Sequence, residues 1–356
     1  MRRGSLIIAD SDFIDCMANY EGLTAYGSGA GIYVVENSDD SSNSTLTATG
    51  CTFLRCKAPH STSADGGAVA LWGEDSNDQV VAVIEDCVFQ ECFADQGAGL
   101  YVSRFCEATV RRCLFKDNTA HKTGGATFRG GGDAAGSGEL TRYEHCVFDG
   151  NKAGYDIDGN RSDQSVPEGG AVGIRIYPRA EFYNCTFLNN YVGSGGEADA
   201  IKNACIQGTG DSMNCDERRS TLVNCVFWND AGVGNDVLIR AEDTVSPVDA
   251  WVDLLNNMWP SGQVLGVSAV ETGTITITEN PVNESYSPLL NSQARDGGYS
   301  DGGYPGVSVK DFNGNSYTDG AGVILPTHGT APDIGAVQAF YRMRRSGLSI
   351  GPGVTR

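Results

Sequence analysis

Residues 87–102 read Cys87-Val88-Phe89-Gln90-Glu91-Cys92-Phe93-Ala94-Asp95-Gln96-Gly97-Ala98-Gly99-Leu100-Tyr101-Val102, and the same pattern recurs along the chain. Its first half is repeated as Cys51-Thr52-Phe53, Cys113-Leu114-Phe115, Cys146-Val147-Phe148, Cys185-Thr186-Phe187 and Cys225-Val226-Phe227. Ser11-Asp12-Phe13 and Asn257-Met258-Trp259 are degraded copies at the two ends. Three residues beyond each Phe stands Cys or Asn: Cys16, Cys56, Cys92, Asn118, Asn151 and Asn190, with Asp230 last. Seven of the 13 Phe residues fall on this register, which is far from a chance distribution. The second half recurs as Gly29-Ala30-Gly31-Ile32-Tyr33-Val34, Gly66-Gly67-Ala68-Val69, Gly124-Gly125-Ala126-Thr127 and Gly169-Gly170-Ala171-Val172.

Each part of this repeat has a physical reading. In Cys-x-Phe the first and third residues share one face of a strand, because side chains alternate with a period of two. If copies stack about 4.8 Å apart, Phe lies over Phe and Cys over Cys in an apolar column. An Asn at the following turn donates and accepts at once, so stacked Asn side chains satisfy one another and the turn backbone. Gly-Gly-Ala supplies positive φ and little bulk where the chain bends inward. These features describe a coil of parallel strands in which each rung touches only its neighbours. Spacings between successive Cys-x-Phe copies are 36, 26, 33, 39 and 40 residues, so a constant scaffold carries variable loop insertions.

The pairing of Phe-x-x-Asn with Gly-Gly-Ala-aliphatic over about residues 10 to 260 resembles polymorphic outer-membrane protein repeats and related right-handed parallel β-helix proteins of bacterial surfaces. Further on, Ser287-Pro288-Leu289-Leu290-Asn291, Asp311-Phe312-Asn313-Gly314-Asn315 and Pro332-Asp333-Ile334-Gly335-Ala336 resemble the closing segment of secreted β-helix proteins of the choice-of-anchor type. The resemblance implies an all-β, single-stranded right-handed parallel β-helix with long loop insertions and an irregular C-terminal cap. The expected layout is a helix over 1–285, a capping segment of the same domain over 286–341 and a disordered tail over 342–356. The first rung begins almost at Met1, so the natural N-terminal cap and any export signal are expected upstream or on another chain. A secreted or cell-surface location is the corresponding expectation.

Composition narrows the function. With 45 acidic against 25 basic residues the formal net charge is −20, which argues against a nucleic-acid binder. Glycine, at 47 of 356 residues, is about twice its usual share of roughly 7%. No apolar run is long enough for a transmembrane helix. Nine of the 12 cysteines occupy repeat positions, where buried Cys acts as a small hydrophobe, so a reduced ladder is expected. Cys205 and Cys215 flank a polar loop and form a candidate disulfide. No Cys-x-x-Cys pair points to zinc.

Three constellations are candidates for function. Asp156, Asp158, Asn160 and Asp163 place oxygen ligands on a Gly-containing loop, and Asp311, Asn313, Asn315 and Asp319 do so near the C-terminus. Either set suits Ca²⁺, or serves as a solvated turn whose side chains cap their own backbone. Many right-handed β-helices cleave polysaccharides, so an alternative function is a calcium-dependent polysaccharide lyase or glycoside hydrolase. Its candidate catalytic groups are Asp156, Asp158, Asp163 and Arg175, the last facing outward between Ile174 and Ile176. The third set is Tyr33, Tyr101, Phe128 and Tyr177, opposite inward aliphatics on successive rungs. They form either an exposed aromatic strip for a carbohydrate or cell-surface ligand, or a strip covered by insertions such as 36–44 and 130–139. A binding or adhesion module is the reading these residues favour.

Overall fold

The computed structural model describes residues 4–18, 27–36, 43–59, 64–73, 79–130, 139–161, 167–175, 179–196, 198–205, 220–230, 239–243, 252–255, 257–260, 264–266, 269–272 and 275–279. All regular structure among them is β. The strands form four parallel sheets in which each strand pairs with the equivalent strand one rung before and one rung after. Sheet I contains Ser5–Ala9, Ser44–Thr49, Val80–Glu85, Cys106–Arg111, Leu140–Glu144, Arg179–Tyr183, Ser220–Val223, Val252–Leu255 and Ala269–Thr272. Sheet II carries the Cys-x-Phe motif in three-residue strands such as Thr52–Leu54, Val88–Gln90, Leu114–Lys116 and Val147–Asp149. A short sheet IV (Phe93–Gln96, Thr119–Thr123, Lys152–Ala153, Tyr191–Val192) precedes the glycine corner. Sheet III then runs from Ile32–Val35 through Val69–Trp72, Leu100–Val102, Thr127–Gly130 and Val172–Arg175 to Ile201–Cys205, Ile239–Asp243 and Val264–Gly266. This is the parallel β-helix that the repeat predicts. No helix among the described residues is long and apolar enough to cross a membrane.

The chain turns at three columns of left-handed residues. Between sheets I and II the corner is Asp10, Gly50, Asp86, Arg112, His145, Asn184 and Asn224, with φ between 46° and 66°. Between sheets II and IV it is Asp15, Arg55, Glu91, Asp117, Gly150 and Asn189. Before sheet III it is Gly29, Gly66, Gly97, Gly124, Gly169 and finally Ala198 (φ 62°). Such a conformation costs an ordinary residue about 1–2 kcal/mol. It persists here because the ladder runs on through the bend: Asp86 N donates to Arg111 O (3.0 Å), Arg112 N to Glu144 O (2.9 Å) and His145 N to Tyr183 O (2.9 Å). From Asp10 to Asn184 every corner amide in that column has an acceptor on the next rung, which offsets the strain.

Inside, the expected columns are present. Phe13, Phe53, Phe89, Phe115, Phe148, Phe187 and Phe227 stack with centroids 4.6–5.1 Å apart, ending on Trp259 edge-on at 6.2 Å. A second, shorter stack, Tyr143 on Phe182 at 4.9 Å, meets Phe148 edge-to-face. Cys51, Cys87, Cys113, Cys146, Cys185 and Cys225 fill the adjacent column as buried free thiols, and burial pushes the Cys113 and Cys185 thiols well up. The Asn ladder is continuous: Asn118 Nδ2 donates to Phe89 O and to Asn151 Oδ1, and Asn151 Nδ2 to Phe115 O and Asn190 Oδ1, all at 2.9 Å. Residues 281–356, with the expected cap and tail, lie outside the described residues, as does Cys215 of the candidate disulfide.

Two stability predictions follow from these columns. Asn151→Ala leaves the Phe115 carbonyl and the Asn118 amide buried without partners, and should cost about 3 kcal/mol in urea unfolding. Ala198→Gly replaces the one non-glycine among the described glycine corners and should raise stability by about 0.5–1 kcal/mol in the same assay.

Candidate functional site

Outward side chains of sheet III form two columns. One runs Tyr33, Ala70, Tyr101, Phe128, Gly173, Lys202, as the strand register dictates. The other contains Val35 beside Trp72 and, further on, Gly130 beside Arg175. Ser103 falls between them, its amide donating to Leu71 O. Two successive rungs, at Ser103 and Gly130, therefore carry almost no side chain between the bulky Trp72 and Arg175. Three rung steps of about 4.8 Å separate those walls by about 14 Å.

The result is a groove of about 390 Å³ lined by Trp72, Tyr101 and Phe128, with Gln96, Ser103, Arg104 and Arg175 as its polar members and Gly130 at its base. Its three rings are near-parallel: Trp72 and Tyr101 lie 6.1 Å apart at 11°, Tyr101 and Phe128 5.6 Å apart at 18°. Phe128 lies so close over Gly130 that a Cβ there would fall 2.1 Å from the ring, and Gly173 is similarly pressed. The glycines at 130 and 173 thus let the ring lie down on the sheet.

The predicted aromatic residues are distributed unevenly over this site. Tyr101 (7% exposed) and Phe128 (4%) form its floor rather than a free-standing strip, because each is flanked by a ring on the neighbouring rung. Tyr33 packs against the same cluster, half-buried, and Tyr177 lies outside the described residues. Trp72, at the end of its strand, is the groove's more exposed ring. Sequence reasoning missed it because it follows the inward Leu71 rather than occupying the Tyr33 register.

Arg175 faces outward and exposed, as its alternation predicts, and lines the groove. The acidic loop does not join it there. Asp156 Oδ1 accepts from the amides of Asp158 (3.0 Å) and Asn160 (2.7 Å), and Oδ2 from Asn160 Nδ2 (3.2 Å), inside a turn closed by the Tyr155–Arg161 bridge. The described part of that loop is a self-capped turn, and Asp163 lies beyond it. Asp311, Asn313, Asn315 and Asp319 also lie outside the described residues. Among the described residues no three His, Cys, Asp or Glu side chains are grouped to hold a metal ion.

Behind the groove sits a cluster that sequence reasoning did not single out. Asp65 immediately precedes the glycine corner and is 6% exposed. Its carboxyl lies beside the Tyr101 hydroxyl, while Oδ1 has no partner among the described residues. Asp95, fully buried, is held by His121 Nδ1 at 3.0 Å and by Lys122 Nζ. Burial first, and then the Asp95 charge, push Asp65 up to about 7, against the pull of Lys122 and Tyr101. The available signal was a polar residue fixed just before each glycine corner: Asp65, Gln96, Thr123 and Glu168 share one register.

Arg129 faces inward: it pairs in register with Val102 and Ile174 and is 1% exposed. Its guanidinium bonds the Ser103 carbonyl and lies 3.7 Å from Glu139.

Comparison of the chain with models of known protein families, with curated proteins and with solved structures finds no match.

Because Asp65 holds its proton more tightly folded than unfolded, it lowers stability as pH rises from about 4 to about 7. Asp65→Asn should flatten that decline, so that its advantage over the wild type grows by on the order of 3 kcal/mol between pH 4 and pH 8. Urea unfolding at both pH values checks this; an unchanged pH slope would refute the assignment.

Proposed function

We propose that this chain is an extracellular or cell-surface β-helix binding module, and that the groove on sheet III recognises carbohydrate. The observation that carries the reading is the groove itself, a concave site with an aromatic floor and a few polar groups at its rim. Sugar rings present apolar C–H faces and hydroxyl edges, and such a site answers both: rings for the faces, Gln96, Ser103 and the guanidiniums for the hydroxyls. Its volume lies in the range of small-ligand sites. The motif resemblance to repeats of bacterial surface proteins supports the same reading.

The alternative, a polysaccharide lyase or glycosidase, requires an acid and a base converging on one bound sugar. Arg175 is in the groove, but its described lining contains no carboxylate and no histidine. Geometry therefore favours binding without cleavage.

A glycan array followed by calorimetry on the full chain tests this, with Trp72→Ala as the variant. Binding by the wild type and a loss of about 5-fold or more in the variant are expected, since an aromatic contact contributes about 1 kcal/mol or more. Release of new reducing ends or unsaturated products, with calcium or without it, would replace the binding reading by the enzymatic one.

A further inference from the structure

We infer that the groove is built for an anionic saccharide, a sugar bearing a carboxylate or a sulfate ester, gripped between Arg104 and Arg175. The inference rests on the carbohydrate reading and specifies its chemistry.

In this acidic chain most described arginines are neutralised within the fold. Arg55, Arg111, Arg112, Arg142 and Arg179 each lie 2.5 to 2.9 Å from an Asp or Glu oxygen. Arg104 and Arg175, both exposed, have no carboxylate partner among the described residues, and both line the groove. Two guanidiniums with no carboxylate partner among the described residues, set on one concave site, concentrate positive charge there in a molecule of net charge −20. The distant negative charge does little to cancel it, because screening at physiological salt acts over about 8 Å. The two carboxyls placed behind the groove are subdued as well: Asp65 is buried behind Tyr101, and Asp95 is paired with His121 and Lys122.

The positions suit two-point capture. Arg104 is in the turn that follows the Ser103 rung, and Arg175 sits two rungs on, at about 10 Å along the axis. Arg104 stacks over the Phe105 ring at 5.6 Å, which limits its side-chain freedom before a ligand arrives. Each guanidinium presents a planar fork of N–H donors matched to a carboxylate or sulfate, and charge-assisted bonds of this kind are the strong ones. By register Phe128 lies on the rung between the two arginines, where its ring can meet the sugar carrying the anionic group.

Calorimetry on the full chain tests the proposal with four probes: oligogalacturonate and its methyl ester, and dextran oligosaccharide with and without sulfation. At least one charged probe should bind about 10-fold or more tightly than its neutral counterpart, and the charged probe that wins identifies carboxylate or sulfate. Arg104→Gln and Arg175→Gln should each remove most of that difference while leaving thermal unfolding unchanged. Their affinity for the neutral probe should fall far less than that for the charged one, and Trp72→Ala should weaken both alike. Equal binding of charged and neutral probes, or full retention of the difference in both arginine variants, would overturn the anionic assignment and leave the carbohydrate reading standing. Loss of binding to all four probes, with an array that is also blank, would remove both.

Discussion

Everything in this molecule depends on one repeat distance, the spacing of about 4.8 Å at which each rung's backbone satisfies the next. Parallel strands give up water on both sides, and a rung can bend only if its corner amides also find acceptors. The left-handed residues at the corners do this. They turn the chain within one residue while keeping the N–H aimed at the neighbouring rung. Once the corners are locked, side chains at equal register must stack, and the Phe, Cys and Asn columns follow from that geometry.

Much of this was legible because stacking forces identical chemistry onto identical register. Cys113-Leu114-Phe115 and Cys146-Val147-Phe148 announce a shared strand, and Asn118, Asn151 and Asn190 announce a hydrogen-bonded ladder. The first two corner columns were not legible. Arg112, His145 and Glu91 carry no sign of positive φ, because the neighbouring rungs, rather than their own preference, hold them there. The inward Arg129 was hidden for a similar reason: on a strand reading Thr127-Phe128-Arg129-Gly130, the local pattern hides that arginine's place between Val102 and Ile174.

The groove arises where the repeat lapses. A regular outward column on sheet III would be closed by a side chain on every rung, but Ser103 and Gly130 leave two rungs open. Aromatic character at Tyr101 and Phe128 was visible from alternation. That these rings recline into a floor was not, since it depends on Gly130 and Gly173 in adjacent strands. The acidic loop at 156 to 160 is the reverse case. Its oxygen-rich sequence suits a cation, yet the described turn uses Asp156 for its own amides. Fold and site thus have different origins: the scaffold comes from repetition, the site from its interruptions.

The stacking account is tested most directly by counting thiols. Ten of the 12 cysteines are free thiols among the described residues, and all of these but Cys16 are buried in the rungs. Titration of a Cys205→Ser, Cys215→Ser variant of the native protein with a thiol reagent, without reductant, should therefore label Cys16 and leave the other nine protected until the chain is unfolded, when all ten react. Rapid labelling of the ladder cysteines in the native state, or their absence as free thiols after denaturation, would contradict a core built from stacked, reduced rungs.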